Sequence, residues 1–476
     1  MACQPPLKPR VLTRLLSHLD LCGQQARRAL PGLGLPVLLL AASPALQAAE
    51  DTPALGEQVR QLGTRLQQLE ARNRALEERL RAQEAEEAAP EEGGLAVEGG
   101  VVAVWQRSNA AGSAEGRATG RLNYRGDLEF SLPMGRLSPL GEAQLSGFGH
   151  LRFGQGSGLA LRPTHTATGN SVPFETAGGS EETYAIVAQA WLQASWPLAG
   201  SGLNDQAPSR VELTAGKLDL FGFFDQNAVA GDEGAQFLNN VFVHNPLLDS
   251  GGDIGADAYG LAPGVRLAWV DEGEDSGWRL GLSAGVFASG AGASFNGGLG
   301  RPLVIVQAEA SPKQINGEPR GSYRLYAWTN GHTTNLAGDA EQRHSGWGLS
   351  LDQRVGRDWN LFARWGARTE GEGSFDRALT LGAEQTGRAW GRPHDSVGLA
   401  LGWLRTDAAW TAATAADASL LGYAARGHER VGELYYRYQL NERIELSPDV
   451  QWIDRAGGQG DARRVVLTGL RASIGF

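Results

Sequence analysis

Beyond Leu95 the chain alternates apolar and polar positions with a period of two, and before it the apolar positions follow a heptad. The clearest strand signal puts Leu122, Tyr124, Gly126, Leu128 and Phe130 on one face and Asn123, Arg125, Asp127, Glu129 and Ser131 on the other. Successive side chains of a strand point to opposite faces, so one face here is apolar and the other is densely charged. A soluble sandwich has no use for such a charged face, whereas a barrel with lipid outside and water inside requires it. The same code recurs in Ala143, Leu145, Leu151 and Phe153 against Gln144, Ser146, His150 and Arg152. In the next strand Tyr184, Ile186, Ala188, Ala190, Leu192 and Trp196 are expected outside, with Gln189, Gln193 and Ser195 inside. Later strands repeat it, with Trp359, Leu361, Ala363, Trp365 and Ala367 opposing Asn360, Arg364 and Arg368, and Ile444, Leu446, Val450 and Trp452 opposing Glu445, Ser447, Asp449 and Gln451.

Collecting these runs predicts strands near 96–106, 118–132, 142–154, 184–197, 209–217, 264–271, 278–288, 302–311, 321–331, 345–356, 359–370, 377–387, 395–406, 428–440, 444–454 and 463–476. The fold class is therefore an all-β transmembrane barrel of about 16 antiparallel strands, an even number that returns both ends to one side of the membrane. The final run, RRVVLTGLRASIGF, ends on Phe476, the aromatic ending expected of a strand that closes an outer-membrane barrel. Short links such as Gly356-Arg357-Asp358 and Asn441-Glu442-Arg443 fit periplasmic turns, and long Gly-rich stretches such as 155–183 and 407–427 fit outer loops.

Upstream, Val59, Leu66, Asn73 and Leu80 occupy a positions and Leu55, Leu62, Leu69 and Leu76 occupy d positions, which predicts an α-helical coiled-coil stalk over 51–86. Asn73 fixes register, and Arg65-Leu66-Gln67-Gln68-Leu69-Glu70 matches the pattern of three-stranded coils, so a homotrimer is expected. A dimeric coil or a single amphipathic helix shares much of the pattern. An acidic linker, 87–94, separates the stalk from the barrel, 95–476; Pro90 and the pair Gly93-Gly94 end the helix. At about 1.5 Å per residue the seam is a rod of roughly 40 Å, placed in the periplasm.

The apolar run Ala29–Ala42, after Arg27 and Arg28 and before the small-residue stretch Ala41–Ala49, reads as a signal peptide over 1–48. The run falls short of the roughly 20 residues of a membrane helix. Both cysteines, Cys3 and Cys22, fall in this leader, so disulfide and thiol chemistry are excluded downstream. Without the leader the net charge moves from −10 to −14, and no basic stripe is visible, which excludes nucleic acid as a partner. No cofactor or metal is expected. Gly154–Gly158 lacks nucleotide-binding spacing, the histidines form no HExxH motif, and Asp249, Asp253 and Asp257 lack the EF-hand pattern.

Between Lys217 and Pro263 the alternation lapses, and a stretch of about 45 residues is too long for an ordinary connection. Its sequence GKLDLFGFFDQNAVAGDEGAQFLNN, the following Asn245-Pro246 and Ala262-Pro263-Gly264-Val265 resemble the central segment of OprB-type carbohydrate-selective outer-membrane porins. GELYYRYQLNERIELSPDVQWI and VVLTGLRASIGF are similar to that family's last strands, and the resemblance spans roughly 95–476. It implies a channel that passes mono- or oligosaccharides passively, with an inward-folded loop narrowing the pore. Sugar transit needs many weak, exchangeable hydrogen bonds and apolar ring faces. The channel constriction is accordingly assigned to Lys217, Asp219, Asp225, Asn227, Asp232, Glu233, Gln236, Asn239 and Asn240, opposed by Arg125, Arg364, Arg368, Arg437 and Arg471, with Trp191 and Phe362 stacking on the sugar. The acids and asparagines serve equally well to anchor the folded loop to the wall.

Two rivals remain. In one, the barrel is structural and its stalk tethers the outer membrane to the cell wall. In the other it is a barrel hydrolase, for which Ser146 and His150 share a face and no third partner is assignable.

Overall fold

The computed structural model describes residues 94–137, 143–156, 158–159, 161–165, 183–198, 209–249, 261–272, 277–289, 299–313 and 320–476. The signal peptide, the coiled coil and all of the linker except Gly94 lie outside the described residues, as do Asp253 and Asp257.

Sixteen antiparallel strands close into one barrel in sequential order, with β1 (Ala96–Ser108) paired to β16 (Val465–Gly475). Between them run β2 (Thr119–Leu137), β3 (Ala143–Gln155), β4 (Tyr184–Pro197), β5 (Ser209–Leu218), β6 (Ala262–Asp271), β7 (Trp278–Phe287), β8 (Leu303–Pro312) and β9 (Gly321–Thr334). The rest are β10 (Glu341–Val355), β11 (Trp359–Glu370), β12 (Phe375–Thr386), β13 (Ser396–Thr406), β14 (His428–Gln439) and β15 (Ile444–Asp454). Closure pairs every strand on both sides, so no edge presents unpaired backbone to lipid. Each expected strand is present; the main differences are longer ends, where β2 continues past a bulge between Pro133 and Gly135 and β10 begins at Glu341.

The alternation sorts residues as lipid and water demand. Leu122, Leu192, Leu267, Leu282, Leu325, Leu399, Leu434 and Ile474 are exposed on the outer face, while Arg125, Arg152, Arg364 and Arg471 are buried inside. Such a belt of exposed leucine is tolerable only against hydrocarbon. Among the described residues no helix is long and apolar enough to cross a membrane.

β4 departs from its expected phase. His150 pairs with Gln189 and Leu151 with Val187, so Ala188 is an extra residue in the ladder. A bulge of this kind switches the faces of one half of a strand relative to the other. Ala185 and Val187 therefore point out with Ala190 and Leu192, while Tyr184 and Ala188, expected outside, are buried.

After β5 the chain turns inward. A 3-10 turn, Leu220–Gly222, and two short helices, α1 (Asn240–Val243) and α2 (Pro246–Asp249), form a folded segment whose apolar side chains meet inward-facing ones from the wall. Phe224 meets Phe287 edge-on at 6.0 Å, and Phe237 lies among Phe242, Phe362 and Tyr435 at 5.0–5.6 Å. This core sits inside the barrel. Each fully buried Phe or Leu in it contributes about 1.5–3 kcal/mol.

Candidate functional site: a charged lumen and its folded segment

Burying a segment inside a barrel obliges its polar groups to find partners on the wall. Asp225 does so most completely. Its Oδ1 accepts from Tyr326 Oη at 2.7 Å and from Arg364 Nε at 3.1 Å, and its Oδ2 accepts from the Asn245 amide at 2.6 Å. Arg364 also donates to the Asp225 carbonyl at 3.0 Å and to the Phe242 carbonyl, so one guanidinium joins both halves of the segment to β11. Asp225 holds a positive φ of 53°, a conformation that Asp and Asn tolerate better than other side chains. The Asn245 side chain donates to Tyr326 Oη at 2.8 Å and nests against Gly348 and Gly366; a Cβ at Gly348 would fall 2.5 Å from its amide nitrogen.

Asn227 donates to Ser350 Oγ at 3.2 Å and to the Leu351 carbonyl at 3.1 Å, while its own Oδ1 accepts from the Val229 and Ala230 amides. Arg324, bound to Glu309 at 3.1 Å and Asp352 at 3.3 Å, donates to the Gln226 carbonyl at 2.8 Å. At the far wall Glu233 pairs with Arg125 at 2.6 Å, and Arg125 in turn reaches Asp127, whose other oxygen takes Arg152 and His150, each at 2.7 Å. Arg471 donates to the Glu233 and Gln236 carbonyls at 2.8 and 2.7 Å. Glu433 of β14 accepts the Leu238 and Asn239 amides at 2.5 and 2.8 Å, next to the N-terminus of α1, where Asn239 is the cap. Asp219 caps the 3-10 turn by accepting from the Phe221 amide at 2.9 Å, and its own amide donates to Gln189 at 3.3 Å.

Of the expected polar residues, Asp219, Asp225, Asn227, Glu233, Asn239, Asn240, Arg125, Arg364, Arg368 and Arg471 are buried. Asp232, Gln236 and Arg437 keep partial exposure, with Arg437 3.7 Å from Glu384. Unfilled donors survive on Arg368 at Nε and Nη1 and on Arg471 at Nε and Nη2. Lys217 is corrected. β5 keeps its alternation to its end, so Lys217 shares the outer face of Leu213 and Ala215, pairs with Ala190, and donates to the Val187 carbonyl at 3.1 Å. Trp191 and Phe362 both face inward and both are covered, Trp191 by Phe148 at 4.9 Å and Phe223 at 5.8 Å, and Phe362 by Phe237. In the first cluster Phe148 and Phe223 are the partly exposed rings, and Arg266 lies 5.0 Å above Phe223.

The sequence reading missed Tyr326, Arg324, Asp352, Glu433, Gln451 and Asn245 as partners of the segment. Inward strand parity was the available signal for the first five. Among the described residues no group of three or more His, Cys, Asp or Glu side chains is arranged to hold a metal ion.

A barrel with a charged interior and a tethered inner segment is porin architecture, and the family comparison decides which kind. The model of the carbohydrate-selective porin OprB family matches residues 120–476. The chain belongs to that family. Among solved structures, this OprB-family porin is similar to Pseudomonas putida OprB at high pH, with a TM-score of 0.61 and 16% identity over 80% of this chain and 94% of that one. The outer membrane channel DcaP of Acinetobacter baumannii gives 0.45 and 14% identity over 82% and 99%. OmpT of Vibrio cholerae, folded in vitro and in its trimer form, gives 0.44 and 9% over 81% and 100%. At these identities the first likeness speaks to the fold of this porin alone. No curated protein matches it.

Proposed function

We propose that this outer-membrane porin passes mono- or oligosaccharides by passive diffusion through a lumen narrowed by the segment 219–249. The observation that carries the reading is the division of labour among its polar residues. Asp225, Asn227, Glu233 and Asn239 spend their hydrogen bonds on the wall and hold the segment across the lumen. Asp232, Gln236 and Arg437 remain partly exposed. Neutral polyols need weak, replaceable hydrogen bonds of that kind, because tight binding would stop release. Phe148 and Phe223 supply apolar ring faces for a pyranose.

The heptads of residues 51–86 support a periplasmic stalk that gathers three copies; the start of β1 and the end of β16 lie together at one rim of the barrel, which the reading assigns to the periplasmic side. Liposome swelling with a panel of mono- and disaccharides tests the channel. Asp232→Ala and Arg437→Ala should change relative sugar rates, and Asp225→Ala and Arg364→Ala should broaden the range of solutes admitted. Unchanged rates in all four would refute the assignment.

A further inference from the structure

Three adjacent strands end, on their lipid-facing side, in cations that face one another. Arg377 of β12 lies directly opposite Arg405 of β13, and Arg405 directly opposite His428 of β14, so the three stand at one level across the sheet. Arg430 sits one outward position nearer the middle of β14, opposite Trp403. The rows below fix the outward parity, because Leu381, Leu399 and Leu434 are exposed on the same faces of the same strands. Like charges directly opposite on neighbouring strands destabilise a sheet unless an opposite charge lies between them.

The chain supplies only part of that charge. Asp376 takes Arg405, whose Nε donates to Oδ1 at 2.8 Å. Asp454, opposite Arg430, is held at both oxygens by Arg464, at 2.7 and 3.0 Å. Arg377 and Arg430 are exposed and make no hydrogen bond or ion pair among the described residues. At the other rim the outward positions of β12–β15 end in Gln385, Val397, Tyr438 and Ile444, without a cation.

Depth along the barrel narrows the choice of partner. Trp403 and Trp452 are the outward aromatics at this end of β13 and β15, as at a membrane–water interface. Arg405 is two residues beyond Trp403, about 7 Å further along the strand, which sets it among lipid headgroups. The long stem of Arg430 lets its guanidinium rise to the same level.

We propose that the outward ends of β12–β14 are a docking surface for the phosphate-bearing headgroup of an outer-leaflet glycolipid. Arg377 and Arg430 hold its phosphate, with Arg405 between them oriented by Asp376. Two strand spacings, roughly 9.5 Å, separate β12 from β14, so two long side chains can converge on one phosphate, and the guanidinium fork matches phosphate oxygens in pairs. The docked headgroup supplies the anion that the register of Arg377 and Arg405 demands, while its acyl chains lie on the leucines below. The inference rests on the reading of this rim as the one facing away from the periplasm.

The test uses the full chain in detergent, with native mass spectrometry to measure retention of added diphosphoryl lipid A, its phosphatase-treated form, and phosphatidylglycerol. Wild type should retain the first over the other two. Arg377→Gln/Arg430→Gln should weaken that retention roughly thirtyfold, as expected for losing two basic residues near an anionic lipid surface, and Arg430→Gln alone by about fivefold. Arg107→Gln removes an exposed outward cation from the same rim, opposite Gly120 and Thr468, and should change nothing. Equal retention of the phosphatase-treated form overturns phosphate recognition. An Arg107→Gln loss as large as that of the double variant overturns the site in favour of general rim charge. Preference for phosphatidylglycerol overturns the glycolipid as occupant. The orientation is checked separately by labelling Ala415→Cys, in the exposed β13–β14 link, with a membrane-impermeant maleimide on intact cells. Labelling only after lysis overturns the assignment of this rim, whatever the lipid measurements give.

Discussion

Replacing Asp225 by Asn tests whether the inner segment is held by its charge network or by its apolar side. Asn keeps nearly the same volume, tolerates the positive φ of 53°, and leaves an oxygen for the Tyr326 hydroxyl. It removes the negative charge facing Arg364, and it turns one acceptor into a donor opposite either Arg364 or the Asn245 amide. Breaking a buried ion pair by removing one partner costs about 3–5 kcal/mol, because the surviving charge stays buried. The apolar anchors Phe224, Phe237, Phe242, Leu247 and Leu248 together contribute on the order of 7–15 kcal/mol at about 1.5–3 kcal/mol each, so they outweigh that loss. The segment therefore stays inside the barrel, while the stretch around 225–227 and 245 opens locally about 10²- to 10⁴-fold more often, at about 1.4 kcal/mol per factor of ten. Planar-bilayer recordings should show excess open-channel noise at nearly unchanged mean conductance, and swelling assays should admit larger solutes. The strand content measured by circular dichroism should not change. Noise and solute range identical to wild type would show that the Arg364–Asp225 pair does not hold the segment; a wholesale rise in conductance would show that the apolar side was overvalued.

Gly366→Val places a branched side chain where the Asn245 amide sits, and should loosen the same region without altering any charge, seen as similar noise in bilayer recordings. Phe223→Ala and Phe148→Ala should slow hexose swelling rates more than those of small non-cyclic polyols, since only the ring faces are lost; equal slowing of both classes would remove the stacking role. Burial lowers the His165 imidazole to about 4, below its ordinary value of 6.5. A group with a depressed basic pKa binds its proton more readily when released, so the packing of His165 against Thr406 and Phe375 should be full above about pH 6.5 and weaken as pH falls toward 4. Hydrogen exchange of residues 161–165 across this window, corrected for intrinsic rate, checks the sign.

The barrel was legible because its rule is local. Each strand declares its two faces within its own ten or so residues; the expected face fails at β4, where one extra residue, Ala188, exchanges the faces and no composition signal marks it, and at Lys217, which faces outward at the end of β5. The inner segment was visible as a lapse of alternation, but not its moorings. The partners of Asp225 lie at 245, 326 and 364, and the carboxylate that holds Leu238 and Asn239 lies at 433. Parity says that Arg364 and Glu433 point inward; nothing local says that they meet the segment rather than water. For the same reason the sequence alone presents Trp191 and Phe362 as open stacking faces, although the rings of Phe148, Phe223 and Phe237 cover them.

The outer ends of β13–β16 carry a signal of their own in their inward positions. A wet lumen predicts polar or small inward positions along the whole strand, and β13–β16 obey this over much of their length, with Ser396, Glu433, Gln451 and Arg471 inside. Toward their outer ends the inward positions turn apolar at Leu404, Val431, Ile453, Val465 and Leu467, and in β16 the outward neighbour is apolar as well, giving the run Val465-Val466-Leu467. Apolar residues on both faces of a strand mean cover on both faces, lipid on one side and chain on the other. Phe287, Leu303 and Ile305 show the same double burial under the segment 219–249, where the lapse of alternation had already announced an inward fold. The link between β3 and β4, Gly-rich and polar, gives no such sign of its own, although its Leu159 and Leu161 join the same apolar cluster. In a barrel of this kind, then, the inward-folding parts are read most reliably from the wall opposite them.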